Sequence, residues 1–232
     1  MPTMALQPAF VLHRRAYRDT SLLLELTTRD SGRVAAVARG ARGGRGHNSG
    51  LLQPFYPLLV GFAGRGEVVT LTGAEPAGVG FALQGTGLYC GLYVNELMLY
   101  LTQRQDGNPE LFAAYLRVLG DLAGGADAGQ ALRNFELDLL MHVGFAVRLT
   151  TESDGETPVS EARRYDYRPE AGPVPAAQGV VSGATLLALD RRAPLLGEQR
   201  REARQLLRAV LAHQLGGREL RSRELFRGTT RP

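Results

Sequence analysis

The sequence predicts an α+β protein of two domains, a small β-barrel over residues 1–78 followed by a mainly helical domain over 79–232. Three observations carry this. Apolar residues recur with period two from residue 8 to residue 75, change to helical period from residue 82, and lose their period in a polar stretch over about 150–179.

Five runs make up the first part: AFVLHRRAY, SLLLELTT, RVAAVARG, PLLVGFAG and EVVTLTGAE. Turn residues separate them at Asp19, at Asp30-Ser31-Gly32, in the Arg/Gly-rich stretch VARGARGGRGHNSGLLQP and at Gly64-Arg65-Gly66. In the second run Leu22, Leu24 and Leu26 share one face with Ser21, Leu23 and Glu25 opposite, so one face belongs to a core. Five short strands with a longer connection between the third and fourth fit a closed barrel of the OB type better than a sandwich.

The second part begins with ALQGTGLYCGLYVNELMLYLTQR, apolar almost all round, which is how a helix buried on several sides reads. Its tyrosines read as core rather than as platforms for bases. Asn108-Pro109 opens a second helix, PELFAAYLRVLGDLAGG, with Gly-Gly as its stop. In the third, AGQALRNFELDLLMHVGF, Leu132, Phe135, Leu139, Leu140 and Val143 form one stripe with Arg133 at its edge. The polar stretch over 150–179 reads as an irregular or hairpin insertion whose RRYDYRP core is a short strand. SGATLLALDRRAP and LLGEQRREARQLLRAVLAHQLGG follow as helices. Along the latter, Arg200, Arg204 and Arg208 repeat at i, i+4, and the plain expectation is a solvated flank neutralised by Glu202.

All 27 residues counted as Lys plus Arg are arginine, and the absence of lysine removes whole chemistries. A nucleotide-binding P-loop needs GxxxxGK[ST], and a pyridoxal phosphate enzyme needs a lysine amine. His13, His47, His142 and His213 fall in no HxxxH or HExxH arrangement, and no GxSxG elbow occurs. A lone Cys90 excludes an internal disulfide and a cysteine zinc cage. No catalytic constellation, cofactor or metal is therefore expected. The N-terminus lacks a signal-peptide pattern and no run approaches the roughly 18 apolar residues of a membrane span, so a cytoplasmic, nucleoid-associated address and no membrane partner are expected.

Charge is sorted along the chain. Residues 1–66 carry nine arginines against three acids, residues 67–190 seven against sixteen, and residues 191–232 eleven against four, so two basic ends flank an acidic middle. Such sorting points to a polyanion, with nucleic acid the first candidate and anionic lipid the second. Alternation in the third run sends Val34, Ala36 and Ala38 inward and both Arg33 and Arg39 outward. With Arg42, Arg45 and His47 they would form a basic rim on a pliable glycine loop, against the plainer reading of a solvated hairpin tip.

AFVLHRRAYRDTSLLLELTT, the GRV–ARGAR segment running into LLQPFYPLLVGFAGRGEV, YCGLYVNEL, ALRNFELDLLMHVGF and SRELFR together resemble the RecO family of bacterial recombination mediators, most closely its proteobacterial branch. The resemblance covers nearly the whole chain in order. It implies an OB-fold domain followed by a helical domain, with no catalytic turnover. It also implies binding of single- and double-stranded DNA, annealing of strands coated by single-strand-binding protein, and cooperation with RecR in loading RecA. Many members carry a four-cysteine zinc site in the insertion, and TTESDGETPVSEARRYDYRP has no cysteine.

On this reading Arg14, Arg15, Arg18, Arg33, Arg39, Arg42, Arg45 and Arg65 meet DNA phosphates, which position a strand without reading its sequence. About six phosphates neutralised on a single strand would give a slope of roughly −4 in log K against log salt. The family's arginine in the ALR-x-FEL motif matches Arg133, which would take the terminal carboxylate of the single-strand-binding protein's tail while Leu132, Leu137 or Leu140 accept its phenyl ring. Pairing of Arg133 with Asp138 or Glu136 is the competing expectation. A different reading of the barrel is an RNA-binding or RNA-annealing OB module, which would use aromatic platforms and the 2′-hydroxyl.

Overall fold

The computed structural model describes residues 6–42 and 50–227. Five strands, β1 (Gln7–Tyr17), β2 (Ser21–Thr28), β3 (Gly32–Ala38), β4 (Leu58–Ala63) and β5 (Val68–Pro76), close into a barrel in the order β1-β2-β3-β5-β4. Every pairing is antiparallel except β3 with β5, the join that closes the five-stranded OB barrel.

The alternating leucines do what their period requires. Leu22, Leu24 and Leu26 face inward with Val34, Ala36 and Ala38 of β3 and with Leu58, Val60 and Phe62 of β4. β1 breaks its register with β2 between Val11 and His13. Its first residues, Gln7 to Ala9, pair with β4 as well, but beyond the irregularity β1 pairs with β2 alone. His13, Arg14, Arg15 and Ala16 are consequently exposed in succession, and both arginines reach solvent from neighbouring positions.

The helices α1 (Gly85–Leu101) and α2 (Pro109–Ala123) follow. Asn108 caps α2 by accepting from the Leu111 amide at 2.8 Å, with Pro109 in the first turn, and Gly124 and Gly125 end it. α1 buries Cys90, Tyr93, Val94, Leu97 and Met98, and with them Asn95, whose amide nitrogen donates to the Leu12 carbonyl at 3.0 Å while its oxygen accepts from the Tyr115 hydroxyl at 2.7 Å. Phe10 meets Phe81, Phe112 and Tyr115 at ring-centre distances of 5.4 to 6.1 Å.

By packing, the chain forms two compact units. One holds Met1–Gly124 together with Leu220–Pro232, and the other holds Gly125–Glu219. The barrel's last strand ends at Pro76, near the expected division after residue 78, and α1 and α2 pack in the barrel's unit. The helix α6 (Ser222–Arg227), which the periodicity does not announce, joins them there: the buried Glu96 of α1 accepts from the amides of Arg221 and Ser222 at 2.9 Å and from the Ser222 hydroxyl at 2.6 Å.

The other unit contains α3 (Ala128–His142), a sheet of β6 (Arg164–Arg168), β7 (Gly172–Pro175) and β8 (Val181–Ser182), and the helices α4 (Gly183–Asp190) and α5 (Glu198–Gln214). The expected insertion is thus a hairpin with a third short strand. It is held by buried polar groups. The Tyr165 hydroxyl donates to Glu152 at 3.2 Å and accepts from the Ser160 amide at 2.9 Å. Glu202 of α5 accepts from Arg164, from the amide and hydroxyl of Ser182, and from the Thr185 hydroxyl.

Candidate nucleic-acid interface

Strand register decides which of the predicted arginines meet. Arg14 and Arg15 of β1 stand opposite Leu24 and Leu23 of β2, and Leu24 and Leu22 stand opposite Ala36 and Ala38 at the end of β3. The β1–β2 turn and the exit from β3 therefore share one end of the barrel. Arg18 occupies that turn with a φ of 52°, its guanidinium carbon 5.2 Å from the centre of the Tyr17 ring. Arg42 ties the two segments together: its amide donates to the Thr20 carbonyl at 2.8 Å and its guanidinium to the Arg18 carbonyl at 3.2 Å. Arg14 donates to the Leu52 carbonyl at 3.2 Å, which holds the far side of the Arg/Gly stretch against β1.

Arg14, Arg15, Arg18, Arg39 and Arg42 are all exposed at this end. Among the described residues no carboxylate pairs with Arg15, Arg18, Arg39 or Arg42. Anions approaching here meet several guanidinium groups without internal competitors. Arg45 and His47 lie outside the described residues.

Two of the expected rim arginines are elsewhere. Arg33 begins β3, opposite Thr27, at the other end of the barrel. Its guanidinium donates to Glu25 at 2.9 Å and to the Thr102 carbonyl at 3.0 and 3.2 Å, leaving its side chain only 16% exposed. Alternation correctly sent Arg33 outward from the barrel core, but the segment after α1 covers that outer face, so the expectation of a solvent-facing Arg33 does not hold. Glu25 also accepts from Arg104. Arg65 lies in the β4–β5 turn between Gly64 and Gly66, both at positive φ, and Gln105 donates to the Gly66 carbonyl at 3.0 Å. Gln105 also donates its amide to the Arg33 carbonyl at 3.0 Å, so Arg65 belongs to Arg33's end.

A second basic site lies within the unit of α3 and α5. A pocket of about 320 Å³ is lined by Asp127, Arg133, Leu195, Arg200, Arg201 and Arg204, among others. Arg133 is buried and makes a two-pronged pair with the fully buried Glu136, one of the two expected partners. Leu132, Leu137 and Leu140 do not line this pocket, so the ring-accepting role expected of them is not available from this face. Leu195 is the apolar residue in the pocket wall.

The arginines of α5 were visible in the sequence as a repeat, but their link to Arg133 was not. Arg200 pairs with Asp127 at 2.6 Å and donates to the Leu195 carbonyl at 2.8 Å, which fixes the wall of the pocket. Glu202, the expected neutraliser of the flank, is turned inward. Its burial would raise its pKa, but bonds from Thr185, Ser182 and Arg164 hold it below the ordinary glutamate range. Among the described residues no group of three or more His, Cys, Asp or Glu side chains could hold a metal ion.

Comparison with known proteins converges on one family. Models of the recombination protein O N-terminal and C-terminal regions match residues 1–79 and 83–224. The chain is 48% identical over 227 residues to the DNA repair protein RecO of Methylococcus capsulatus, covering 97% of this chain and 94% of that one. It is 48% identical over 228 residues to the DNA repair protein RecO of Halorhodospira halophila, covering 95% and 96%. The DNA repair protein RecO of Yersinia enterocolitica is 45% identical over 227 residues, covering 95% and 93%. With an OB barrel leading a helical region and both family models matched in order, the chain belongs to the RecO family of DNA repair proteins.

Proposed function

We propose that this protein is a non-enzymatic recombination mediator that binds single- and double-stranded DNA, anneals complementary strands coated by single-strand-binding protein, and acts with RecR to promote RecA loading. The observation that carries the reading is the gathering of Arg14, Arg15, Arg18, Arg39 and Arg42 at one end of the barrel, four of them without an acidic partner among the described residues. Guanidinium forks hold phosphates and leave base edges free. Two strands repel, and a surface that screens both raises their local concentration and lets them pair without bond chemistry. Arg65 and Arg33, at the other end, are left out of this contact set; Arg45, outside the described residues, stays in it on its position in the sequence.

The pocket of Arg133, Leu195 and the α5 arginines supports the second half of the proposal. A carboxylate-ended tail with a terminal phenyl ring needs cations beside an apolar wall, and this pocket supplies both. Arg133 then acts within a set that includes Arg201 and Arg204, with the ring against Leu195 instead of Leu137 or Leu140.

The test is an annealing assay on complementary strands pre-coated with single-strand-binding protein, run across a salt series. The Arg39→Ala/Arg42→Ala variant is expected to slow annealing at least tenfold at moderate salt. Wild-type rates in that variant would overturn the assignment. Stronger competition by RNA than by DNA of the same sequence would favour the RNA module instead.

A further inference from the structure

Helix α5 carries an unbalanced face. Its acids are Glu198 and Glu202, and Glu202 is buried under Arg164, Ser182 and Thr185. Glu198 pairs with Arg201 at 2.7 Å. Arg204 and Arg208 stay exposed, and among the described residues no carboxylate meets either.

Arg201, Arg204 and Arg208 follow at i, i+3 and i+7, so they share one face, and at the helical rise the stripe is about 10 Å long. Like charges at that spacing repel, so the face is least costly when an anion lies along it. The other exposed positions of α5 are Glu198, Arg200, Gln205, Ala209, Ala212 and His213, none of them a large apolar side chain. An amphipathic membrane helix would need an apolar face here, and α5's apolar side, Ala203, Leu206, Leu207, Val210 and Leu211, is buried. A phosphodiester backbone needs no such anchor, because its binding comes from counterion release. Arg201 and Arg204 also line the pocket, whereas Arg208 does not.

We propose that Arg201, Arg204 and Arg208 form a second track for nucleic-acid phosphates, and that a strand lying on it closes the adjoining pocket to the acidic tail. This rests on the reading of the pocket as a tail site. Both anions require the guanidinium groups of Arg201 and Arg204, and two anions a few ångströms apart repel. Tail release and strand capture then become one exchange step on α5. A strand held here and another at the barrel would be two separately bound partners for annealing.

The experiment follows a fluorescent acidic peptide ending in phenylalanine on the full-length chain by anisotropy, with unlabelled oligothymidylate as competitor. In the wild type the oligonucleotide is expected to displace the peptide. Arg208→Ala should keep peptide affinity within about twofold, since Arg208 lies outside the pocket, yet need about fivefold more oligonucleotide for displacement. Arg208→Lys, which keeps the charge, should restore most of the competition. Peptide that stays bound under saturating oligonucleotide, or displacement unchanged in Arg208→Ala, overturns the inference while leaving the tail site standing. A peptide that does not bind the wild type at all overturns the tail site and the exclusion together.

Discussion

Arg33 directs its guanidinium to Glu25 and to the Thr102 carbonyl, whereas Arg39 and Arg42 are exposed at the other end of the barrel, Arg42 with one nitrogen on the Arg18 carbonyl. The same residue type therefore has opposite expected phenotypes. Arg33→Ala should lower stability by about 2 kcal/mol in denaturant melts, because it leaves Glu25 with one partner fewer and frees the Thr102 carbonyl, while strand affinity stays within about twofold. Arg39→Ala/Arg42→Ala should leave the melt within about 0.5 kcal/mol and weaken strand binding. Arg133 requires a different design. Its removal takes a two-pronged guanidinium away from the buried Glu136 carboxylate, so Arg133→Ala should cost about 3 kcal/mol of stability as well as peptide binding. Arg204→Ala, on the exposed wall of the same pocket, should weaken the acidic peptide without the stability loss, and an unaffected peptide titration would remove Arg204 from the site. Gly32 shows how tightly one turn is held: at a φ of 63°, an added Cβ would sit 1.9 Å from the Asp106 carbonyl oxygen, so Gly32→Ala must move the segment after α1.

At the scale of elements, two carboxylates anchor pieces of chain that have little apolar surface of their own. Glu96 receives the start of α6, a helix too short to be stable alone, with the Phe226 ring set edge-on against Tyr89 at 5.9 Å. Glu96→Gln turns one acceptor into a donor facing donors, so amides of residues 220–227 should exchange with solvent at least tenfold faster while the barrel strands keep their protection. Glu202 plays the corresponding part for β8 and α4. Because its folded-state pKa lies below the unfolded one, its stabilisation is fully present above the ordinary glutamate range and is lost as pH falls through the lowered value. The wild type should therefore lose more stability than Glu202→Gln between neutral and acidic pH, and parallel curves for the two would contradict this. Past the irregularity in β1 the pairing with β4 has ended, so Arg14 and Arg15, on opposite faces of the strand, are both exposed at the barrel end.

At the scale of the molecule, the sorted charge of the sequence becomes basic surface in each of the two units, at the barrel end in one and along α5 in the other. Strand binding should follow log salt with a slope near −4, and neutralising Arg39 and Arg42 should make that slope shallower by about 1.4, which an anisotropy series at several salt concentrations measures directly. Period and punctuation were enough to read the five strands, the inward set Leu22, Leu24, Leu26, Val34, Ala36 and Ala38, and the Asn108-Pro109 helix start, because these depend on neighbours within a few residues. The family was equally legible, since its motifs run in order along the chain. Less legible were the partners that come from far away in sequence. Thr102 claims Arg33, and Arg164, Ser182 and Thr185 claim Glu202, whereas the Arg133–Glu136 pair, three residues apart, could be read from the sequence. By itself, then, the amino-acid order determined the barrel, the helices, the family and the sign of the charge each region carries. Only tertiary structure decided which arginines are spoken for and which stay open to an anion, because a guanidinium's fate depends on whether a carboxylate or carbonyl from a distant segment folds within bonding range of it.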